Sequence, residues 1–484
     1  MIGEPDEATG RDICNPQPPK SRPPLYLGHP EMLLTTAAYF SFLAAVFFAY
    51  WLAARYRLGA LAVVLFANYF FYARWDLAYL AIIPAASTCD FFIGRALHVS
   101  TKPALRRLLV TLSIALNIGL IASVKYLPVL PWVLPLALSF YGFQSLTYTI
   151  DIYRRDAQPS ESYLAYLASA SFFPTTIAGP ITRLSTLWPQ WSKRDMLSAE
   201  NGGKALFLIG LGLVKKLLIA DFLAESLVNR VFDLPKLYSG AEVLAGAYGY
   251  ALQLYYDFSG YTDIALGSAL LLGITLPPNF NRPYAAQNIS DFWRRWHISF
   301  SAWLRDYLYF SLPGLRSRWK IFAYLNLVIT MMIGGLWHGA GWTFLVWGAW
   351  HGIGLAAHRW WQALHGNPKL TLTTGARVLC GLATFHFVLI GWIFFRAPNL
   401  DTARDIFYQI FSGTISFANI TPAFVLVAVV AAAAHFVPKQ WYDGGLRLYC
   451  QSPYYAQAAA IAGLIVVVRY VAGSGSAPFI YSRF

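Results

Sequence analysis

The chain has 484 residues, of which 57% are hydrophobic and only 12% charged, and its formal net charge is +14. A soluble domain carries about 25% charged residues, so this chain lacks the polar surface to cover a core of its size in water. The positive balance sits in short clusters between apolar runs, which excludes a nucleic-acid binder and points to loops at a membrane surface.

Residues 1–31 are polar and proline-rich and lack the basic segment that opens a secretory signal, so they read as a disordered tail. From residue 32 onward apolar runs follow one another almost to the end. A helix needs about 20 residues to cross hydrocarbon, and several runs are shorter, so roughly 10–13 spans are expected, with the rest re-entrant or interfacial. Pro128, Pro131, Pro135 and Gly179-Pro180 are expected to interrupt helices where protein or water surrounds the backbone. The fold class expected is therefore all-α and integral to the membrane, a polytopic bundle. Residues 1–31 precede one transmembrane domain over 32–484.

Basic residues fix the expected orientation. Arg55 and Arg57, then Arg95, Lys102, Arg106 and Arg107, then Arg154 and Arg155 follow the first, third and fifth runs. Only Arg74 and Lys125 follow the second and fourth. Positive loops stay in the cytoplasm, which puts the N-terminus outside it. Cys14, Cys89, Cys380 and Cys450 form no CxxC pair and read as small apolar residues, not as a disulfide frame or a metal site.

Three segments could carry chemistry. In 255–267, YYDFSGYTDIALG, Asp257 and Asp263 lie in or beside apolar runs. Buried carboxylates need partners, so a structural ion pair is the first reading and a polar path for an acceptor the second. No GxSxG elbow accompanies Ser259, which argues against a Ser-His-Asp triad.

In 279–311, Asn279 to Pro283 reads as loop and Ser290 as the cap of a helix beginning near Asp291. Phe292, Trp296, Phe300, Trp303, Tyr307 and Phe310 then recur on one face, with Arg294, Arg295 and Arg305 off it. An aromatic, basic amphipathic helix suits a membrane surface. The alternative is that the arginines meet donor phosphates and that His297 points into a site.

In 331–352, MMIGGLWHGAGWTFLVWGAWHG, His338 lies among Gly334, Gly335, Gly339 and Gly341 at a boundary between apolar runs. An ionisable group at membrane depth is a functional candidate, and the glycines let a helix or ligand approach closely. His351 follows 13 residues later. At about 100° per residue the two would not share a helix face, so His351 reads as a supporting residue. Metal binding is not expected, since no HExxH or HxxxH pair occurs. His98, His358, His365 and His386 read as structural or solvated.

The stretches DFSGYTDIALGSALLLGITLPPNFNRPY, NISDFWRRWHISFSAWLRDYLY and GGLWHGAGWTFLVWGAWHGIGL resemble the membrane-bound O-acyltransferase family. The branch is the bacterial one that acetylates alginate and moves D-alanine to teichoic acids. FFPTTIAGPITR at 172–183 and the closing PFIYSRF are similar to the same branch, and the likeness covers about residues 32–484. It begins at Met32, so residues 1–31 are expected to come from an upstream start-codon assignment.

The resemblance implies a tilted bundle with a funnel reaching two histidines. In it His338 is the catalytic base and His297 the second polar group of the site. Trp296 and Trp337, which precede those histidines, join Arg294, Arg295, Arg305, Asp257 and Asp263 as candidate donor or acceptor contacts. No bound cofactor is implied. The acyl donor would be acetyl-coenzyme A or an acylated carrier protein, and an extracytoplasmic hydrolase-like transferase would complete delivery within a polysaccharide-synthesis complex of the bacterial inner membrane. A polysaccharide transporter is the rival class, but such proteins show paired halves, and no internal symmetry is evident.

Overall fold

The computed structural model describes residues 32–127, 135–176, 179–192, 197–316, 319–366 and 373–471. The expectations about residues 1–31, about Pro128 and Pro131, and about the closing PFIYSRF lie outside these. Among the described residues all regular structure is helical. The longer or functionally relevant helices are α1 (Ala37–Ala53), α2 (Arg57–Ala73), α3 (Tyr79–Val99), α4 (Pro103–Lys125), α5 (Pro135–Arg154), α6 (Tyr163–Ala170), α7 (Ala199–Leu213) and α8 (Gly240–Leu271). They continue with α9 (Ile289–Arg295), α10 (Ile298–Trp303), α11 (Lys320–His338), α12 (Trp342–His365), α13 (Thr374–Arg396), α14 (Leu400–Phe411), α15 (Pro422–Phe436), α16 (Lys439–Gln451) and α17 (Tyr454–Val471).

Four helices are by themselves long and apolar enough to cross a membrane, namely α3, α4, α11 from Ile321, and α13. A fifth span results if α15 and α16, bent by 94°, count as one. This is fewer than the apolar runs suggest, for two reasons. Helices α1 and α2 have only 17 residues each. The longer α8 and α12 carry Asp257, Asp263, His351 and His358, which lower their apolarity.

Polar side chains join these helices at depth. Asp90 of α3 is buried and accepts from Ser113 at 2.6 Å and Asn117 at 2.8 Å on α4, and from Ser145 at 2.7 Å on α5. Hydroxyl and amide donors of this kind tie helices together where lipid supplies no hydrogen bonds.

Helix α8, Gly240–Leu271, runs unbroken for 32 residues. Gly260 does not break it. A Cβ there would meet Gly212 O at 2.8 Å, so the glycine serves instead to seat α7 against α8. Beyond α7 the chain continues through π-turns over Val214–Ala220, which carry two consecutive lysines, Lys215 and Lys216, onto α8.

The segment 291–311 departs furthest from expectation. It is not one helix: α9 stops at Arg295, His297 takes a left-handed conformation with φ of 42°, α10 follows, and π and 3-10 turns complete it. The cap is Asn288, whose side chain accepts from Asp291 N at 2.8 Å, and not Ser290. Phe292, Trp296, Phe300, Trp303 and Tyr307 are buried in protein, and only Phe310 is exposed. The aromatic face is therefore part of the core rather than a membrane-surface anchor. Periodicity could not separate these outcomes, because a protein core and a lipid interface favour the same rings.

Candidate active site

Helix α11 ends at His338, and Gly339 leaves the helix in an extended conformation. The chain returns as α12 after a tight turn. The two helices meet along a glycine seam: a Cβ on Gly335 or Gly348 would collide with backbone of the facing helix, and one on Gly352 would meet Val328 Cα at 2.6 Å. The bulk missing around His338 thus admits a helix.

The last carbonyls of a helix lack partners within it. Here α4 supplies them. Lys125 Nζ donates to Trp337 O and, at 2.7 Å, to His338 O, while Tyr126 OH donates to Leu336 O. An ammonium at this end also favours the helix dipole. His338 is 4% exposed, and its ring is walled by Phe300, Trp337, Trp347 and Phe395 at centroid distances of 4.8–5.3 Å. The ring faces aromatic protein, not lipid.

His297 is held by the loop before α9. Its Nδ1 lies 3.1 Å from Asn279 Oδ1, which also faces Ser299 N at 3.2 Å and Ser299 Oγ at 2.9 Å. A backbone N–H only donates, so the Asn279 atom it meets is the amide oxygen, and the imidazole must donate from Nδ1. That leaves Nε2 with its lone pair, buried and without a hydrogen-bond partner among the described residues. Ser299 Oγ in turn accepts from Ile181 N at 3.0 Å, which ties the segment around Gly179-Pro180 into the same chain of bonds.

Phe300 brings the two imidazoles together. Its ring centroid is 5.0 Å from His297 and 5.3 Å from His338. On either side of α10 lies a cavity, and both cavities touch Ile298 and Ala302. One, about 530 Å³, is lined by Arg294, Arg305, His358 and Arg359. The other, about 730 Å³, is lined by Ser299, Arg183 and Asp306. Arg183 and Arg305 bind Asp306 at 2.5 and 2.7 Å.

The remaining candidates fall into place around this centre. Trp337 stacks on Phe300, and Trp296 packs on Trp392 at 4.8 Å, away from His338. His351 is fully buried one ring further out, sharing Trp347 with His338. Arg295 pairs with Asp291 at 2.9 Å and does not line the arginine cavity. Asp257 and Asp263 sit in ion pairs of 2.6 Å with Lys216 and Lys215 on the π-turns. Asn279, Lys125 and Arg359 escaped the sequence reading. Asn279 looked like ordinary loop and Lys125 like a loop charge, and Arg359 followed a histidine taken as solvated.

Removing the acceptor that fixes His297 should tell on turnover. Asn279→Ala is expected to slow acyl transfer by roughly 10–100-fold, by analogy with the loss when the partner orienting a metal-bound imidazole is removed. Asn279→Asp, which still accepts from Nδ1, should retain much more activity. Equal rates for both variants and the parent would show that this bond has no catalytic part.

The chain matches a family model described as MBOAT, membrane-bound O-acyltransferase family, over residues 126–396. It is similar to a peptidoglycan O-acetyltransferase of Helicobacter pylori, 36% identical over 76% of this chain and 77% of that one. It is 37% identical to a probable alginate O-acetylase of Azotobacter vinelandii over 80% of this chain and 81% of the relative. A teichoic acid D-alanyltransferase of Bacillus subtilis is 29% identical over 53% of this chain and 67% of that protein.

Proposed function

Because the chain belongs to the membrane-bound O-acyltransferase family and is a membrane O-acyltransferase, we propose that it takes an acetyl group from a cytoplasmic thioester and passes it toward hydroxyls of a cell-surface polysaccharide, with His338 as general base. The observation that carries this reading is the pair of buried imidazoles packed against one ring, Phe300 of α10, a helix that also borders a cavity lined by arginines.

In the proposed step a ring nitrogen of His338 removes the hydroxyl proton as the oxygen attacks the thioester carbonyl. The C–S bond breaks, and the departing thiolate takes the proton back from the imidazolium. A positioned base supplies about 10²–10⁴-fold of rate. The remainder must come from orientation and from a site that excludes water, which the aromatic wall around His338 favours. His297 offers a lone pair at Nε2, not a proton. It is therefore suited to orienting an incoming hydroxyl and unsuited to stabilising an oxyanion.

The donor is acetyl-coenzyme A or an acylated carrier protein, whose phosphates suit the cavity of Arg294, Arg305 and Arg359. Arg154, the last residue of α5 at an end that the charge bias assigns to the cytoplasm, donates to Asp306 O at 2.7 Å, on the cavity across α10 from those arginines. The same bias puts the N-terminus outside the cytoplasm of a bacterial inner membrane. A hydrolase-like transferase on the far side would complete delivery. Arg294→Ala and Arg359→Ala are each expected to raise the KM for donor by about tenfold, near 1.4 kcal/mol, with kcat little changed. A fall in kcat at unchanged KM would remove the arginines from donor binding.

Mass spectrometry of surface glycans from parental and deletion cells tests the reading. Loss of ester-linked acetate supports it, and loss of ester-linked D-alanine would favour the second reading suggested by the Bacillus subtilis relative. Unchanged glycan esters would overturn both. Purified protein that turns over labelled acetyl-coenzyme A separates the enzyme from the rival transporter.

A further inference from the structure

Four arginines of the charge bias, from two separate places in the sequence, meet in one hollow. Arg106 and Arg107 lie near the start of α4, Arg154 ends α5, and Arg155 follows it. With Thr101, Pro103 and Tyr153 they line a cavity of about 350 Å³, and no acidic residue lines it among the described residues. Two of the four are committed to the protein. Arg106 is buried and donates to the carbonyls of Leu97, Ser100, Ile152 and Tyr153. Arg154 donates to Asp306 O and Ser311 Oγ. Arg107 and Arg155 are exposed and make no hydrogen bond or ion pair with any described residue. Like charges gathered in one place repel, and an anion between them offsets the repulsion.

The backbone at Arg155 is unusual. Its φ is 68°. Arg155 N donates to Ile152 O at 3.1 Å and Asp156 N to Asp151 O at 2.8 Å, the pair of bonds that ends a helix in a left-handed residue. Glycine fits that corner without strain, so an arginine kept there points to a use for its side chain. Arg107 has a second kind of surrounding. Thr111, Ile114 and Ile118 follow it at helical spacing on one face of α4, and all are exposed. Helix α4 is long and apolar enough to cross a membrane, so this face meets lipid. From Arg107 to Ile118 the stripe rises roughly 16 Å, about half the thickness of the hydrocarbon core.

We propose that the hollow between α4 and the end of α5 binds the phosphate of an anionic phospholipid, held by Arg107 and Arg155, with an acyl chain along Ile114 and Ile118. The charge bias assigns this end to the cytoplasm, so the lipid belongs to the inner leaflet, whose anionic lipids such basic pockets recognise. The planar forks of the two uncommitted arginines match phosphate oxygens. Four positive groups without a lining carboxylate favour a head of net negative charge over a zwitterionic one. A free phosphate would meet the same arginines, but it has no chain to lay on the stripe that starts at Arg107.

The test is native mass spectrometry of protein purified in mild detergent, with phosphatidylglycerol, phosphatidylcholine or inorganic phosphate added back. Arg107→Gln and Arg155→Gly are each expected to hold phosphatidylglycerol about fivefold less, and the double variant roughly 30-fold less, the share of basic groups beside an anionic head. Phosphatidylcholine, whose own cation offsets its phosphate, should bind weakly to the parent and the variants alike. Arg155→Gly relaxes the left-handed corner, so its unfolding temperature should not fall and lost lipid cannot be a folding defect. Arg55→Gln removes an exposed charge that the bias puts on the same side, outside the hollow, and should leave retention unchanged. Parental retention in the double variant would overturn the proposal, as would an equal loss in Arg55→Gln or indifference to the head group. Displacement of the lipid by excess inorganic phosphate would make the ligand a free anion and overturn it too. So would cross-linking of positions 107 and 155 to an acidic protein with lipid excluded.

Discussion

His338→Ala is expected to lower acyl transfer by about 10²–10⁴-fold, the contribution of a positioned general base, while the protein still inserts in the membrane and purifies as a single species. The backbone around the residue survives the change, while the truncated ring leaves a cavity among four aromatic side chains that lowers stability. The position of His338 is set by backbone, through the glycine seam of α11 and α12 and the bonds from Lys125 and Tyr126 to the end of α11, none of which uses the imidazole. His338→Gln, which preserves size and polarity but is no base, should be as slow as the alanine variant. Labelled donor consumed by purified protein gives the rate, and thermal unfolding in detergent gives the stability. A variant that acylates at the parental rate would remove His338 from the chemistry, and with it the mechanism proposed for the family's motif in this chain.

The second large effect is on folding. Lys216 is 1% exposed and bonds Asp257 and Asp221, each at 2.6 Å. Lys216→Met removes the ammonium that two carboxylates share. Breaking a buried ion pair from one side costs about 3–5 kcal/mol, because a charge stays behind in a medium that solvates it poorly. The variant should therefore unfold at a markedly lower temperature or fail to accumulate. Lys216→Met combined with Asp257→Asn should recover part of the loss, since it takes away one stranded carboxylate. If the double variant proved less stable than the single, the ion-pair explanation would be wrong. Asp257 would then owe its place to something else, such as the polar path weighed from sequence.

The two histidines of the proposed site stood out in the sequence through an ionisable ring at membrane depth in one case and long motifs shared with a family, while the glycines beside His338 serve the packing of α11 on α12. The membrane class was legible from composition, which requires no geometry. Other features were invisible for definite reasons. The break at His297 depends on a left-handed backbone angle that a non-glycine residue adopts only when its surroundings impose it, and those surroundings come from Asn279, 18 residues earlier. Lys125 was counted as an orientation signal, yet it spends its charge on carbonyls 212 and 213 positions away. Asp257 and Asp263 needed partners, but nothing local named Lys216 and Lys215, because π-turns shift the facing residues of a helix away from ordinary spacing. Arg359 and His358 were passed over at the end of an apolar helix, and only tertiary packing sets them beside Arg294 and Arg305.

The contact between α11 and α12 has a mechanical corollary. Backbone meets backbone at Gly335, Gly348 and Gly352, so sliding one rod along the other would drive atoms through each other. That half of the chamber is a stiff wall. Any give needed to let a bulky thioester in and a free thiol out falls to the opposite half, where α9 and α10 have only seven and six residues and are joined at a strained corner. Turnover would then be paced by the flexing of that corner, and cross-bracing it should slow product escape without touching the imidazole that does the chemistry.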